Sequence, residues 1–196
     1  MLVLASKSKA RGAMLAGAGI AVELIPADID ERALDDGWSA AGHGPAEVAR
    51  LLAEAKAKAV SLSMPGRVVI GADQTLALGN QRYSKPETIA AARDQLASFR
   101  GRIHHLHSAV ALARDGELIF ATVASAAMHV RNFSDAFLDS YLDRMGNEVL
   151  SSVGCYQYEG LGIQLFDRVE GNYFTILGMP LLPLLAALRK QGLVAS

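Results

Sequence analysis

The sequence predicts an α/β fold in which helices flank a mixed β-sheet. Short apolar stretches rich in β-branched residues alternate with amphipathic stretches of helical periodicity. Two turn signals, Gly79-Asn80 and Asp115-Gly116, join neighbouring stretches as hairpins, so the sheet contains antiparallel pairs. The chain has 196 residues, 51% of them hydrophobic, which is enough for a substantial core. We expect one domain over residues 1–196, built as two closely packed lobes.

The N-terminal segment predicts a strand, a helix and a second strand. Leu2–Ala5 and Ala21–Ile25 are apolar and short, as strands are. Between them, either Ser6 or Ser8 can cap a helix that runs toward Gly19. The first strand therefore ends in a loop that opens a helix.

The next segment predicts a loop, a long helix and a buried strand. Residues 28–44 are acidic, contain glycine and show no periodicity, so a surface loop is expected. From Pro45, apolar residues recur at helical spacing until Pro65-Gly66 ends the helix. The strand that begins at Val68 would place Asp73 at its carboxyl end, where ligands gather in open α/β sheets.

The second half of the chain alternates strands with helices. The predicted strands cover residues 75–78, 81–83, 103–114, 117–130 and 162–169. The predicted helices follow Pro86, Ser134 and Pro183, and the last one ends at Gly192.

Composition and charge exclude several classes of function. A net charge of −1 provides no basic field for a nucleic-acid polymer. No apolar run approaches membrane-spanning length, so no membrane partner is expected. The lone Cys155 excludes an internal disulfide and is typical of a reducing compartment. We therefore expect a cytoplasmic protein.

The segment around Asp73 carries the strongest chemical signal. Gly71 and Ala72 leave room for a ligand to approach the backbone. A carboxylate directly after them can hold a metal ion or activate a water. Taken alone, the same pattern also fits an ordinary turn aspartate.

Basic residues occur at three further places. The loop Ser6–Arg11 precedes a helix, and hydroxyls, cations and free N–H groups there suit a phosphate. Lys56 and Lys58 lie on opposite edges of the apolar face of the long helix, and spacing alone leaves the choice between them open. Lys85 precedes Pro86, which would present it at a helix N-terminus.

Histidine and cysteine offer weaker signals. His105 and His107 share one face of a predicted strand and His104 occupies the other, so the three do not converge as a zinc site requires. Cys155 has no partner that would activate a thiolate, and packing is the expected role.

Together these residues favour hydrolysis of a polyphosphate. Cations would hold the phosphate chain, while carboxylates at Glu31 and Asp73 would position a divalent metal and a water.

Several of these pieces, in this order, resemble the Maf family of nucleoside triphosphate pyrophosphatases. The matching segments cover almost the whole chain. They are Leu4-Ala5-Ser6-Lys7-Ser8, Leu52-Ala53-Glu54-Ala55-Lys56-Ala57, Ile70-Gly71-Ala72-Asp73-Gln74, Lys85-Pro86, Gly101-Arg102-Ile103-His104 and Leu177-Gly178-Met179-Pro180-Leu181.

The resemblance implies cleavage of a nucleoside triphosphate into the monophosphate and pyrophosphate. By position, Asp73 corresponds to the family's general base, and Ser8, Arg11, Glu31, Lys56 and Lys85 to its phosphate and metal surroundings. Glu31 and Asp73 would be the metal ligands. The family is also similar to inosine triphosphatases in fold, with an elongated mixed sheet and a central cleft. It implies a homodimer and a divalent cation, Mg²⁺, Mn²⁺ or Co²⁺.

Three positions bear on the substrate. Gln74 and Glu159 resemble the branch of the family that acts on 7-methyl-GTP, and Glu159 can accept hydrogen bonds from the N–H edge of guanine. Alternatives are the branch that acts on dTTP and UTP, or a nucleotide-binding regulator of cell division. Ala10 departs from the family pattern, because it is too small to grip a base, and Lys9 stands where proline is usual.

Overall fold

The computed structural model describes residues 1–195, and its helices and strands alternate as an α/β protein requires. The strands are β1 Leu2–Ala5, β2 Val22–Leu24, β3 Val69–Leu78, β4 Gln81–Tyr83, β5 Ile103–Arg114, β6 Glu117–Val130 and β7 Phe166–Glu170. The helices are α1 Lys9–Gly17, α2 Glu31–Ala40, α3 Pro45–Ser63, α4 Ile89–Phe99, α5 Asp135–Met145, α6 Tyr173–Ile176 and α7 Leu181–Lys190. Short 3₁₀ helices cover Gly146–Leu150 and Leu161–Leu165.

The sheet is mixed, as the sequence predicts. Its strand order is β2-β1-β3-β5-β6-β7, with β4 also paired to β3. β1 runs parallel to both β2 and β3, whereas β3–β4 and β6–β7 are antiparallel. The hairpin turns at Gly79-Asn80 and Asp115-Gly116 are confirmed, and Asp115 and both glycines have the positive φ that such turns favour.

The chain divides into two compact units. The first comprises residues 1–74, 107–125 and the described residues from 172 onward, and the second comprises 75–106 and 126–171. In the first unit, β1 and β3 are buried on both faces. One face packs Leu4 and Ile70 against Leu15 and Met179. The residues of the other face, such as Val3 and Val69, lie in a separate cluster with Val60 of α3.

Small residues let α3 approach the sheet closely. Ala49, Ala53 and Ala57 of α3 share a buried cluster with alanines of β5. At Gly71 of β3, a Cβ atom would lie 2.1 Å from the Ala53 carbonyl oxygen and 2.7 Å from the Ala57 nitrogen. The contact is with helix backbone, which cannot rotate away.

We therefore predict that Gly71→Ala lowers the free energy of unfolding by at least about 2 kcal/mol, because α3 must shift from the sheet. Urea denaturation followed by circular dichroism measures the change. Gly17→Ala is the control, since a Cβ there meets nothing within 4 Å. Equal stability of the two variants would contradict the close approach of α3.

The second unit has an aromatic core. His104 is fully buried, and its Nε2 lies 2.8 Å from the Tyr156 hydroxyl. Its ring lies 4.7 Å from that of Phe99, measured between centroids. Burial, together with the nearby His105, lowers the pKa of His104 to about 3, so the imidazole is neutral at physiological pH.

The predicted loop at 28–44 was wrong, because α2 occupies Glu31–Ala40. The Asp30 carboxylate caps this helix by accepting a hydrogen bond from the Ala33 N–H (3.0 Å). None of its residues is buried, and Gly37 interrupts the pattern. Its two large apolar residues, Leu34 and Trp38, lie one turn apart and are only partly buried, and a single such pair is too short a pattern to predict a helix.

Asp73 does not lie at the end of its strand, as the sequence suggested, but inside the ten-residue β3. The parallel partner β1 ends opposite Gly71, at Ala5. β3 continues because its last residues pair with β4, starting at Leu76 opposite Tyr83. Asp73 is thus two residues beyond the carboxyl end of β1, which keeps it at the edge where the parallel pairing stops.

Two smaller boundaries also differ from the prediction. The segment predicted as a strand over 162–169 begins as the 3₁₀ helix Leu161–Leu165 and becomes extended at Phe166. The last helix starts at Leu181, before Pro183. Proline is tolerated in the first helical turn, because the N–H that it lacks would have no partner within the helix.

Candidate active site

Three charged side chains meet in the first unit and form what we call the carboxylate–lysine cluster: Glu31, Lys56 and Asp73. Lys56 Nζ lies 2.7 Å from Asp73 Oδ1 and 2.7 Å from Glu31 Oε2. The side chains of Lys56 and Asp73 are only 9% and 12% exposed, whereas that of Glu31 is 52% exposed. One lysine therefore holds a buried and a half-exposed carboxylate at a single point.

The close approach of α3 to β3 explains this placement. Ala53 and Ala57 pack on Gly71, so the α3 residue between them, Lys56, faces the same side of β3 as Gly71 does. Asp73 follows Gly71 by two residues and shares that face. The structure thus distinguishes the two lysines that helical spacing left open, because Lys56 is buried at Asp73 and Lys58 is exposed.

The loop between β1 and α1 is ordered by its serines. Ser8 is the N-cap of α1, and its Oγ accepts the Arg11 N–H (3.4 Å). Ser6 Oγ accepts the Ser8 N–H (3.1 Å). Of the two capping serines that the sequence allowed, Ser8 is therefore the cap. Lys7, Lys9 and Ala10 are exposed.

Arg11 reaches from α1 to two other segments of the first unit. Its Nη1 donates to the Ala72 carbonyl oxygen (2.9 Å) and its Nε donates to the Gly178 carbonyl oxygen (2.9 Å). Burial lowers the pKa of the guanidinium, and the negative charges of Asp73 and Glu31 oppose that shift. Arg11 thus lies in the field of both cluster carboxylates while it fixes the backbone beside Asp73.

A polar network next to Asp73 joins Gln74 to residues that the sequence did not single out. Gln74 Nε2 contacts Ser108 Oγ (2.9 Å) and the carbonyl oxygens of Thr175 and Ile176 (3.1 Å each). Ser108 Oγ in turn donates to the Thr175 carbonyl (2.6 Å). In the sequence, Ser108 is one of several polar residues of β5 and follows three histidines, so its residue type and position do not identify a function.

Lys85 and Glu159 belong to the second unit. Lys85 is exposed in an irregular segment, three residues before Thr88, the N-cap of α4. Its predicted place at a helix N-terminus was therefore wrong, because Thr88 rather than the residues beside Pro86 provides the capping oxygen. Glu159 is exposed in a turn that precedes Gly160 and the 3₁₀ helix.

The cluster carboxylates have the chemistry that a divalent cation needs. Each of these carboxylates uses one oxygen to accept from Lys56 Nζ at 2.7 Å, and its second oxygen is a hard donor of the kind that Mg²⁺ prefers. Residues 1–195 contain no group of three or more His, Cys, Asp or Glu side chains suited to a metal. A Mg²⁺-like ion held by two carboxylates takes its other ligands from substrate phosphates and water.

His104, His107 and Cys155 lie where packing or a hydrogen bond within the protein explains them. His104 is in the aromatic core, and His107 Nδ1 lies 2.7 Å from Ser125 Oγ. Burial raises the pKa of the Cys155 thiol to about 12, which disfavours the thiolate that a nucleophile requires.

Comparison with known proteins decides the family. The family model described as Maf-like protein matches residues 1–191. The chain belongs to the Maf family. This confirms the resemblance seen in the sequence, and the mixed sheet with flanking helices agrees with the predicted fold class.

Similar members of the Maf family have been named for their activity. A nucleoside triphosphate pyrophosphatase of Rhodopseudomonas palustris is 54% identical over 99% of this chain and 95% of its own length. A 7-methyl-GTP pyrophosphatase of Brucella suis is 53% identical over 97% of this chain and 96% of its own. A 7-methyl-GTP pyrophosphatase of Rhizobium meliloti is 50% identical over 99% and 98%.

No helix within residues 1–195 of this Maf protein combines the length and the apolar character needed to cross a membrane.

Proposed function

We propose that this Maf protein hydrolyses nucleoside triphosphates to the monophosphate and pyrophosphate, and that it favours 7-methyl-GTP. The carboxylate–lysine cluster is the observation that carries the proposal. It combines a nearly buried carboxylate with a fixed cation, and Arg11 of the helix that Ser8 caps bonds to the Ala72 carbonyl beside Asp73. Family membership and the names of relatives at 50–54% identity support the reaction class.

In the proposed reaction, Asp73 accepts a proton from the attacking water. The water oxygen forms a bond to phosphorus while the bridging P–O bond between the α- and β-phosphates breaks, and pyrophosphate leaves with that bridging oxygen. Lys56 holds the Asp73 carboxylate in one orientation from 2.7 Å and places a positive charge beside the developing phosphate charge. Asp73 is exposed enough to meet a water but is otherwise enclosed.

The loop between β1 and α1 supplies the proposed phosphate contacts. Ser8 and the N–H groups of the first turn of α1 suit a phosphate oxygen, since a helix N-terminus carries partial positive charge. Arg11 adds a second cation near the cluster. Lys85 is proposed as a further phosphate-binding residue, as the family resemblance implies.

A divalent cation is proposed as the cofactor, held by Glu31 and Asp73. When bound, it neutralises phosphate charge and polarises the phosphoryl group. Mg²⁺, Mn²⁺ and Co²⁺ all suit oxygen donors, and the rates that each supports in otherwise identical assays identify the preferred ion.

The test of the function is pyrophosphate release across a panel of 7-methyl-GTP, GTP, ATP, dTTP and UTP, each with Mg²⁺ or Mn²⁺. We expect turnover to be fastest with 7-methyl-GTP. Preference for dTTP or UTP would place the protein in the other branch. Nucleotide binding without pyrophosphate release would favour the nucleotide-binding regulator instead.

Glu159 is proposed to select the base. Its carboxylate can accept hydrogen bonds from the N1–H and amino group of guanine, and N7-methylation adds a positive charge that it attracts. We predict that Glu159→Gln lowers kcat/KM for 7-methyl-GTP about tenfold relative to UTP, since one charge-assisted contact is lost. Glu170→Gln, also exposed and in the same unit, is the control. An equal loss for every nucleotide would argue against base selection by Glu159.

Two further expectations concern the whole protein. The family resemblance suggests a homodimer, which sedimentation equilibrium tests. The predicted cytoplasmic location is tested by fractionation of cells that express the full chain.

A further inference from the structure

Asp73 and Gln74 face opposite sides of β3, because successive strand residues alternate. On the Asp73 side, Gly71 packs on α3 and Lys56 reaches in from the same helix. On the Gln74 side, Ile70 and Ala72 belong to the cluster that contains Met179 and Leu181. The side chain of Gln74 is thus directed to the segment around α6, away from the carboxylate–lysine cluster.

The amide nitrogen of Gln74 is fully used within the protein. A primary amide has two N–H hydrogens, and three acceptors lie within 3.1 Å of Nε2. Two of these acceptors are the Thr175 and Ile176 carbonyl oxygens, which cannot donate. The amide cannot turn over without placing its own oxygen against them. Its nitrogen therefore has no hydrogen left for a nucleotide base.

Ser108 completes this network. It lies on β5 on the same side as Val110 and Leu112, is 0% exposed, and donates to the Thr175 carbonyl at 2.6 Å while it accepts from Gln74. Because no part of Ser108 is accessible, it cannot touch a substrate. A kinetic effect of removing its hydroxyl must pass through Gln74 or Thr175.

Arg11 forms a second tie to the same segment. It joins the carbonyl of Ala72, the residue before Asp73, to the carbonyl of Gly178. Gly178 has a φ of +105°, and a Cβ there would lie 3.5 Å from Arg11 Nε. Both neighbours of Asp73 are therefore held to residues 175–178, one through Arg11 and one through the Gln74 amide.

We propose that Gln74 and Ser108 are positioning residues for the hydrolysis. Together they hold the backbone of β3 so that the Asp73 carboxylate keeps the direction that proton transfer requires. This inference rests on the proposed function. It also changes the role of Gln74. Gln74 affects the reaction by orienting Asp73, and its amide nitrogen does not bind the nucleotide base.

The test compares Gln74→Met, Ser108→Ala and the double variant, with kcat and KM measured for 7-methyl-GTP, GTP and UTP well below each melting temperature. We expect each single variant to lower kcat about tenfold for all three nucleotides, with KM changed less than about twofold, because misorientation affects the chemical step and not ground-state binding. The double variant should lose less than the product of the two single effects, since both remove one network.

Ser61→Ala is the matched control. Ser61 is also a fully buried serine of the first unit, and its Oγ bridges the Lys58 carbonyl and the Gly116 N–H. We expect this variant to lower thermal stability without a change in kcat. If Ser108→Ala behaves in the same way, the network is purely structural and the inference is overturned.

Two other outcomes also overturn it. A change in the ratio of kcat/KM between nucleotides for Gln74→Met, absent from Ser108→Ala, would mean that Gln74 reads the base directly. A wild-type protein that releases no pyrophosphate from any nucleotide would refute the proposed function and this inference with it, whereas an active wild type with unaffected variants refutes the inference alone.

Discussion

Asp73→Asn is expected to lower kcat for pyrophosphate release by about 10²- to 10⁴-fold, the range of a lost general base. Asparagine has the shape of aspartate and keeps an oxygen that can face Lys56, but it cannot accept the proton from water. Nucleotide affinity should persist, because the phosphate contacts proposed for Ser8 and Arg11 are untouched. Steady-state kinetics and equilibrium nucleotide binding measure the two quantities.

Asp139→Asn is the control for this variant. Asp139 forms an exposed ion pair with Arg93 in the second unit, so its loss should leave kcat unchanged. Wild-type activity in Asp73→Asn would refute the base assignment. The affinity for Mn²⁺, measured without nucleotide, distinguishes a general base from a metal ligand at Asp73. If Asp73 only accepts a proton, Glu31→Gln should weaken Mn²⁺ binding more than Asp73→Asn does.

Lys56→Met is expected to lower both stability and activity. Methionine has a similar length without the charge, so the nearly buried Asp73 carboxylate loses the ammonium group at 2.7 Å. An uncompensated buried charge of this kind costs about 3 kcal/mol of the free energy of unfolding. We also expect kcat to fall about a hundredfold, since the cation beside the reacting phosphate is removed.

Lys58→Met on the same helix provides a close control. Lys58 is exposed, so its replacement should change the free energy of unfolding by less than about 0.5 kcal/mol and leave kcat unaltered. Urea denaturation and pyrophosphate assays on both variants give the comparison. Similar behaviour of Lys56→Met and Lys58→Met would contradict the importance of the cluster.

Elements with a strong local pattern were predicted well. The hairpin of β5 and β6 has long strands and an Asp-Gly turn, and α3 has a proline at its start and apolar residues at helical spacing. Where local signals are weak, tertiary contacts decide. α2 buries no residue, and the extension of β3 past Asp73 depends on its pairing with β4.

The candidate site shows the same division. The sequence singles out Asp73 and Glu31 by residue type and resemblance, and Lys56 by resemblance alone, because helical spacing does not show which lysine faces the carboxylates. Lys56 is selected because Ala53 and Ala57 pack on Gly71, a contact between segments well apart in the chain. Ser108 was missed for a related reason, since its role depends on the carbonyl of Thr175, 67 residues away.

By itself, the sequence determined the family, the reaction class to propose and the alternation of helices with a mixed sheet, because motif order and periodicity are properties of the chain. Only the tertiary structure decided that Lys56 joins Asp73 to Glu31, and that Gln74 turns its amide away from Asp73 toward residues 175–176. Both facts arise because Asp73 and Gln74 point to opposite faces of β3. The segments that cover each face are distant in the chain.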